Sequence, residues 1–418
     1  MLGFNFATGN AKKLLSLPLY ALGALASLVV PRTNRQWVFG SGSGIGEGSL
    51  ELFLLARAES PHLGLTWLAR DSRDLADAAA LGIPAVVKST PRGLWRTLRA
   101  RVVVVTHGFG DANRFGTRGA FVVQLWHGIP LKLIQLDAPV TTGVGILSHL
   151  PLLPSILRRA YEWGYRGISL MPAASQLAAA RLQTAFGLDP DRIVVTGDPR
   201  DDVLARGTAQ QRIDVARSLL FERLHLDSAV SQRVLLYSPT WRDGAPDPGA
   251  PGVEEWEQIG AYLAESDSLF VVRPHPHGAG DYVRGFGISP RIVLLSSNVL
   301  ADVTPILPAI DLLITDYSSI AFDFSLTGGP ILFLAPDEDS YAASRGFYEP
   351  YREFSGGREV RSWSSLLDQL RRYDADREWA AQLRAHSELL SGRHFAYRDG
   401  RNTRRVYDEL VRRLKARQ

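Results

Sequence analysis

Short apolar runs alternate with helical segments along most of this chain, and that alternation constrains its fold more than any other feature. In the first half, strands are predicted at 36–41, 63–69, 85–89, 101–108, 121–128 and 192–202. The segments between them, such as 49–58, 73–82 and 173–186, have the composition and spacing of helices. Alternating strands and helices predict a parallel sheet covered by helices on both faces.

A second set of alternating elements follows, with strands predicted at 233–243, 268–278, 291–297, 311–319 and 329–337. A chain of 418 residues is long for one core, so we expect two domains. The predicted fold class is α/β and GT-B-like, with two doubly wound Rossmann-like domains, a ligand in the cleft between them and an N-terminal hydrophobic helix. The predicted parts are a hydrophobic segment (1–31), an N-terminal domain (32–205), a linker (206–230), a C-terminal domain (231–390) and a C-terminal helical segment (391–418) that packs back on the N-terminal domain.

Composition narrows the classes of function. The chain is 45% hydrophobic and 22% charged, as expected of a folded globular protein. Its net charge of +4 is too small and too dispersed to indicate nucleic acid, but it suits an anionic substrate or membrane surface. The absence of cysteine excludes disulfides, thiolate metal sites and thiol nucleophiles.

An uncharged run at 14–30 lies between Lys12-Lys13 and Pro31-Arg32. It is short for a membrane span, contains Pro18 and precedes no A-x-A cleavage site. We predict a helix seated peripherally on the cytoplasmic face of a membrane, with the flanking basic residues facing anionic lipids. A secretory signal and a buried core helix are the alternatives.

Polar residues cluster where the predicted strands end. In the first half these are His107, His127, Gly128 and the nearby Lys132, and in the second half they are Thr240, Arg242, Asp243, Arg273, His275, Asp316, Ser318 and Ser319. Because ligands of open parallel sheets bind beyond the carboxyl ends of the strands, this repetition predicts a functional site.

The second-half clusters have the chemistry of a phosphate site. Ser318 and Ser319 begin a predicted helix, where free N–H groups favour an anion, although simple N-capping would use the same residues. Arg273 offers a forked donor, and prolines on both sides of His275 fix the backbone that aims its side chain. Together these segments predict a pyrophosphate-binding wall.

Other sites fit parts of the pattern less well. His275, His277 and Asp316 have the residue types of a metal site, but the nearby Arg273 and the lack of cysteine favour no metal. The glycine-rich run 40–48 has the spacing of a dinucleotide loop without a persuasive acidic partner, so we interpret it as a tight loop facing the cleft. No G-x-S-x-G elbow supports a serine hydrolase.

Five segments, in this order, resemble the CDP-glycerol glycerophosphotransferase family of teichoic acid and capsule synthesis. They are QLWHGIPLK (124–132), GDPRDD (197–202), YSPTWRD (237–243), RPHP (273–276) and TDYSSIAFDF (315–324). The resemblance runs from about residue 20 to the C-terminus. It implies a GT-B fold, attachment to the cytoplasmic membrane face, and transfer of glycerol phosphate from CDP-glycerol to a lipid-linked or polymeric acceptor with release of CMP. It implies neither a cofactor nor a metal.

This resemblance and the residue chemistry predict an in-line phosphoryl transfer. His127 is the expected general base for the acceptor hydroxyl, and His275 is the second expected catalytic residue. Donor phosphate or nucleotide contacts are assigned to Arg273, Ser318, Ser319, Asp316, Thr240 and Arg242, and contacts with the acceptor or with phosphate to Lys132, Gly128, His107 and Asp243. The expected partners are a CDP-polyol, the acceptor and a membrane surface, with no nucleic acid, and the chain itself as a homo-oligomer.

Departures from the family pattern leave the substrate open. The chain has GSGIGEGSLEL (42–52) where the family often shows an aromatic residue and D-N-S-K, and Leu133 follows Lys132 where a second Lys is frequent. After RGFY (345–348) it lacks the usual Pro-Gly. CDP-ribitol or another CDP-polyol is therefore an alternative donor. A nucleotide-sugar glycosyltransferase, a sugar-nucleotide epimerase and a catalytically silent membrane scaffold are the alternative functions.

Overall fold

The computed structural model describes residues 16–142, 153–227, 232–242, 245–275, 280 and 282–417. These residues fall into two compact units. The N-terminal unit holds the described parts of Phe6–His127, Ile134–Asp202 and Phe395–Gln418. The C-terminal unit holds Gly128–Leu133 and the described parts of Val203–His394. Each unit is built on one parallel sheet, so the α/β class is confirmed.

The sheet of the N-terminal unit has the order β3-β2-β1-β4-β5-β6-β7 among the described strands. These strands are β1 (Thr33–Phe39), β2 (Gly64–Ala69), β3 (Ala85–Val87), β4 (Ala100–Val105), β5 (Phe121–Gln124), β6 (Ile168–Ala173) and β7 (Ile193–Val195). Trp37 and Phe39 pack into one core cluster and Val38 into another. Neighbouring residues of one strand are thus buried on opposite faces, as expected of a parallel sheet covered on both sides.

The sheet of the C-terminal unit has the order β10-β9-β8-β11-β12 among its described strands. They are β8 (Arg233–Ser238), β9 (Ser268–Val272), β10 (Ile292–Leu294), β11 (Leu312–Thr315) and β12 (Ile331–Phe333). Leu235, Tyr237 and Phe270 share a core cluster with Trp256 and Trp363. Both strand orders reverse direction at one place, between β1 and β4 and between β8 and β11. Such switch points open a crevice at the carboxyl ends of the strands.

Helices connect these strands. They are α1 (Leu17–Val29), α2 (Glu47–Glu59), α3 (Ser72–Ala80), α4 (Pro91–Arg99), α5 (Leu153–Tyr165), α6 (Gln176–Phe186), α7 (Ala209–Leu224), α8 (Val253–Glu265), α9 (Val283–Ile288), α10 (Ile320–Ser325), α11 (Glu338–Arg345), α12 (Tyr351–Ser355), α13 (Trp363–Ala375), α14 (Arg377–His394) and α15 (Asn402–Lys415). Within the described ranges, no helix is long and apolar enough to cross a membrane.

The last helix, α15, belongs to the N-terminal unit. The carboxylate of Asp202 accepts hydrogen bonds from the N–H groups of Asn402 and Thr403, at 2.8 Å each. A carboxylate at this position satisfies the free donors of the first helical turn and interacts favourably with the helix dipole. Part of the GDPRDD segment therefore anchors α15.

One strand is not predicted from the sequence, which favours a helix from residue 173. The structure places β6 at Ile168–Ala173, and Ser175 caps α6 by accepting a hydrogen bond from the N–H of Ala178 at 3.2 Å. The pattern was ambiguous because ISLMPA is short, contains a proline and runs directly into the helix. In the span predicted as a linker (206–230), α7 is a regular helix of the C-terminal unit.

Candidate active site

The switch point of the N-terminal sheet brings together the ends of β1, β4 and β5. The loop after β1 contains Ser41 and leads to Glu47 at the start of α2. Thr106 and His107 follow β4, and His127 follows β5. Residues distant in sequence therefore meet at one edge of the sheet.

His107 and His127 form a stacked pair at this edge. Their ring centroids are 4.1 Å apart and their planes differ by 6°. Trp126 lies on the chain just before His127, with its ring centroid also 4.1 Å from that of His127. Burial and the neighbouring His107 lower the pKa of His127 to about 3. His127 is therefore neutral at pH 7 and has a lone pair with which to accept a proton.

Glu47 supplies a negative charge next to the imidazoles. Its carboxylate accepts hydrogen bonds from the hydroxyls of Ser41 and Ser43, each at 2.7 Å, and lies 3.8 Å from Nδ1 of His107. Burial raises the pKa of Glu47, but the two imidazoles and the two hydroxyls outweigh it and hold the pKa at about 2. Glu47 is therefore ionised throughout the physiological range.

An ion pair from the GDPRDD segment completes this edge. Nε of Arg200 lies 3.1 Å from Oδ2 of Asp198, and the Arg200 side chain is 9% exposed. Burial raises the pKa of Asp198 to about 6, although Arg200 acts against it. The positive charge of Arg200 also contributes to the low pKa of His127.

The switch point of the C-terminal sheet is organised around Arg242. Its guanidinium donates to both carboxylate oxygens of Asp337, at 2.7 Å each, and to Oδ2 of Asp316 at 3.1 Å. The other oxygen of Asp316 accepts the N–H of Thr240 at 2.9 Å. The Thr240 hydroxyl is buried without a hydrogen-bond partner. Arg242 and Asp316, which the sequence predicts to contact the donor substrate, are thus hydrogen-bonded to each other. The hydroxyl of Thr240 remains available to a ligand.

Lys132 belongs to this second group of residues. The segment Gly128–Leu133 is part of the C-terminal unit, and Lys132 pairs with Phe347 in an antiparallel bridge. Burial lowers the pKa of Lys132 to about 8, with Asp316 acting in the opposite direction and Arg345 and Arg242 adding to the decrease. The QLWHGIPLK segment is therefore divided, with His127 in one unit and Gly128 and Lys132 in the other.

Arg273 supports a loop. Its guanidinium donates to the carbonyl oxygens of Leu295, Leu300 and Ala301, at 3.3, 2.8 and 3.0 Å. Burial lowers its pKa to about 10. His275 is exposed, and its ring stacks on Trp241 with centroids 5.6 Å apart.

The two predicted anion-binding serines lie at the start of α10. Ser319 occupies the N-cap position without a capping hydrogen bond from its side chain, and both serines are partly exposed. Asp243 and His277 fall outside the described residues. In the part of the chain that the structure describes, no cluster of three or more His, Asp or Glu residues is arranged to hold a metal ion.

Sequence reasoning missed Glu47, Ser41 and the Arg200–Asp198 pair. The signal for Glu47 was present, because it is the only acidic residue of the glycine-rich run 40–48, which follows a predicted strand. From the sequence, that run is interpreted as a tight loop facing the cleft, and this interpretation assigns no role to its acidic residue.

Residues 25–412 match the model of the CDP-Glycerol:Poly(glycerophosphate) glycerophosphotransferase family. The chain belongs to this family. The resemblance drawn from the five segments is thereby confirmed.

Curated relatives in the glycerophosphotransferase family share modest identity. The teichoic acid ribitol-phosphate polymerase TarK of Staphylococcus aureus is 26% identical over 70% of this chain and 52% of its own length. The teichoic acid poly(glycerol phosphate) polymerase of Staphylococcus epidermidis is 30% identical over 55% of this chain and 31% of its own. The teichoic acid glycerol-phosphate primase of Bacillus subtilis is 28% identical over 59% and 58%. The chain spans about half the length of the first curated relatives it matches (52% and 48%).

Solved structures show the same fold. The wall teichoic acid polymerase TagF is 20% identical and superposes with a TM-score of 0.74 over 99% of this chain and 98% of that one. A UDP-N-acetylglucosamine 2-epimerase is 16% identical, with a TM-score of 0.55 over 93% of this chain and 98% of that one. The fold of this glycerophosphotransferase family member is therefore that of TagF, and more distantly that of the epimerase.

Proposed function

We propose that this protein transfers glycerol phosphate from CDP-glycerol to a hydroxyl group of a lipid-linked or polymeric cell-envelope acceptor, releasing CMP. The observation that carries the proposal is the neutral His127, stacked on His107 at the carboxyl edge of the N-terminal sheet, in a chain that matches the glycerophosphotransferase family. Relatives named as teichoic acid glycerol-phosphate primase and polymerases support it. A TagF variant solved with CDPG supports the donor class.

In the proposed reaction the acceptor oxygen attacks the β-phosphorus of the donor. The bond between this phosphorus and the oxygen of CMP breaks as the new ester bond forms. His127 accepts the proton of the acceptor hydroxyl. Lys132 and the Thr240 hydroxyl bind donor phosphate, and His275 provides the proton or hydrogen bond that the departing CMP needs.

Ribitol phosphate is the second candidate for the transferred group. The ribitol-phosphate polymerases TarK and TarL of Staphylococcus aureus each match 70% of this chain at 26% identity. The names of these two polymerases support a CDP-ribitol donor as directly as the name of the glycerol-phosphate primase supports CDP-glycerol.

CMP release tests these proposals. The purified protein is given CDP-glycerol, CDP-ribitol or a UDP- or GDP-sugar, each with and without a lipid-linked acceptor. Turnover of a CDP-polyol that depends on the acceptor is the expected result. Turnover of a nucleotide sugar alone would replace the proposal with glycosyl transfer or epimerisation. If the wild type and His127→Ala released CMP equally slowly, the result would favour the alternative function, a catalytically silent membrane scaffold.

We also propose that α1 seats the protein on an anionic membrane surface at the cytoplasmic face. Leu19, Leu22, Leu25 and Leu28 are 50–79% exposed along this helix. The opposite side docks through Gly23, where an added Cβ would lie 2.1 Å from the carbonyl oxygen of Phe115. An apolar helix face that remains in water is costly, and a bilayer interface would bury it.

Vesicle sedimentation tests this attachment. Leu22→Glu/Leu25→Glu is expected to lower binding to vesicles containing phosphatidylglycerol by about tenfold, because the bilayer interface would lose two apolar side chains. Ile213→Glu/Val215→Glu, which alters exposed apolar residues of α7, is the matched control. Equal binding by both variants and the wild type would refute the role of α1.

The GT-B-like organisation and the N-terminal hydrophobic helix belong to the same proposal. Two switch-point sheets and the likeness to TagF support it. A homo-oligomer, and the absence of a cofactor and of nucleic acid, remain predictions.

A further inference from the structure

Arg345 is the last residue of α11 and is partly exposed. Gly346 ends the helix with a φ of 73°, in the left-handed region that favours glycine. A Cβ added to Gly346 would lie 2.7 Å from Cδ1 of Leu133, so this glycine also permits the close approach of the 128–133 segment. The end of α11 is therefore held directly beside that segment.

The backbone places Arg345 near Lys132. The N–H of Leu133 donates to the carbonyl oxygen of Gly346 at 3.0 Å, and Lys132 pairs with Phe347 in the antiparallel bridge. At this short separation the charge of Arg345 contributes to the lowered pKa of Lys132. Two like charges at one place repel each other, and a bound anion would relieve that repulsion.

The indole of Trp241 contacts both Arg345 and His275. Cζ of Arg345 lies 5.6 Å from the centroid of the indole ring, within the range of a cation–π interaction. The ring of His275 stacks on the same indole, with centroids 5.6 Å apart and planes that differ by 19°. Trp241 follows Thr240, whose buried hydroxyl has no hydrogen-bond partner among the described residues. Trp241 thus joins a guanidinium and an imidazole beyond the carboxyl end of β8.

These side chains have the chemistry of a phosphate site within the C-terminal unit. A guanidinium presents parallel N–H donors that match two phosphate oxygens, and stacking on an aromatic ring keeps the guanidinium in one orientation. We propose that Arg345 binds donor phosphate together with Lys132, and that Trp241 is the positioning residue that orients Arg345 and His275. This inference rests on the proposed function, because it takes the phosphate to be that of a CDP-polyol.

Isothermal titration calorimetry with CDP-glycerol and with inorganic pyrophosphate tests the role of Arg345 without turnover. Arg345→Met is expected to raise Kd for both ligands about 30-fold, because a charge-assisted contact is lost. Arg345→Lys keeps the charge but lacks the forked donors, so we expect an increase of about fivefold. Arg352→Met, at an exposed position of the same unit, is the matched control and should bind as the wild type does.

The two ligands separate this inference from the proposed function. If the wild type bound CDP-glycerol and both Arg345 variants bound it equally well, the role of Arg345 would be overturned while the proposed function stood. If the wild type bound pyrophosphate but no CDP-polyol, the proposed function would fail. Weaker pyrophosphate binding by Arg345→Met would then still identify Arg345 as a phosphate ligand.

The role of Trp241 is tested by Trp241→Leu and Trp241→Phe. Trp241→Leu removes the aromatic ring and is expected to raise Kd for CDP-glycerol about tenfold, whereas Trp241→Phe keeps a ring and should raise it less than about threefold. Proton NMR gives a second measurement, because the ring current of the indole shifts the ring resonances of His275, and Trp241→Leu should remove that shift. Unchanged Kd or unchanged His275 resonances in Trp241→Leu would overturn the positioning role.

Discussion

The two switch points of this protein use charge in different ways. At the N-terminal switch point, the stacked rings of His107 and His127 lie beside a single carboxylate, Glu47, to which the Ser41 hydroxyl donates a hydrogen bond. At the C-terminal switch point, Arg242 binds Asp316 and Asp337 directly, so its charges are fixed in place. The same topology thus supports a stacked imidazole pair beside one carboxylate in one unit and a rigid electrostatic frame in the other.

The largest effect is expected from His127→Ala. Loss of a general base typically costs 10²–10⁴-fold in rate, and we expect about a 10³-fold decrease in kcat for CMP release. His62→Ala, at an exposed position of the same unit, is the control. Full activity of His127→Ala would show that the N-terminal switch point does not supply the general base.

Arg242→Met tests the rigid electrostatic frame that Arg242 forms with Asp316 and Asp337. This change leaves two carboxylates without their partner, so we expect the free energy of unfolding to fall by about 3–5 kcal/mol in denaturant titration. Arg361→Met removes exposed ion pairs and should cost less than about 1 kcal/mol. Equal stability of the two variants would show that the Arg242 network is not a structural frame.

Lys132 is a cation of the C-terminal unit that we expect to bind donor phosphate. Lys132→Met should raise KM for the CDP-polyol about 30-fold with little change in kcat, since a charge-assisted contact is worth about 2 kcal/mol. Because its pKa is lowered to about 8, the ammonium is present below pH 8 and is lost above it. KM of the wild type should therefore rise between pH 8 and 9, and a flat profile would argue against this role.

The smallest effect concerns the loop beside His107. A Cβ added to Gly42 would lie 2.7 Å from Cγ of His107, whereas nothing lies within 4 Å of one added to Gly110. We expect Gly42→Ala to lower kcat about tenfold by displacing the His107 ring, and Gly110→Ala to change it little. If both variants were fully active, the orientation of His107 would not limit the reaction.

Much of the fold could be predicted from the sequence, because buried parallel strands appear as apolar runs and their ends as polar clusters. His107, His127 and Asp316 were singled out in this way, and the structure places them at the two switch points. The partners of each side chain could not be predicted. Arg242 and Arg273 have the chemistry of phosphate ligands, yet carboxylates and carbonyl oxygens within the fold satisfy them. Sequence reveals donors and acceptors, but only the folded backbone decides which of them meet.

The path of the chain has a consequence for dissecting the protein. It leaves the N-terminal unit after His127, returns at Ile134, leaves again after Asp202 and returns at Phe395. No single cut separates the units: a fragment ending at Asp202 would carry Gly128–Leu133 without Phe347, with which Lys132 forms an isolated bridge, and would lack α15. Gene fusions or split reporters that treat the halves as independent modules should therefore fail, and exchange between family members must transfer the short 128–133 segment together with the second half.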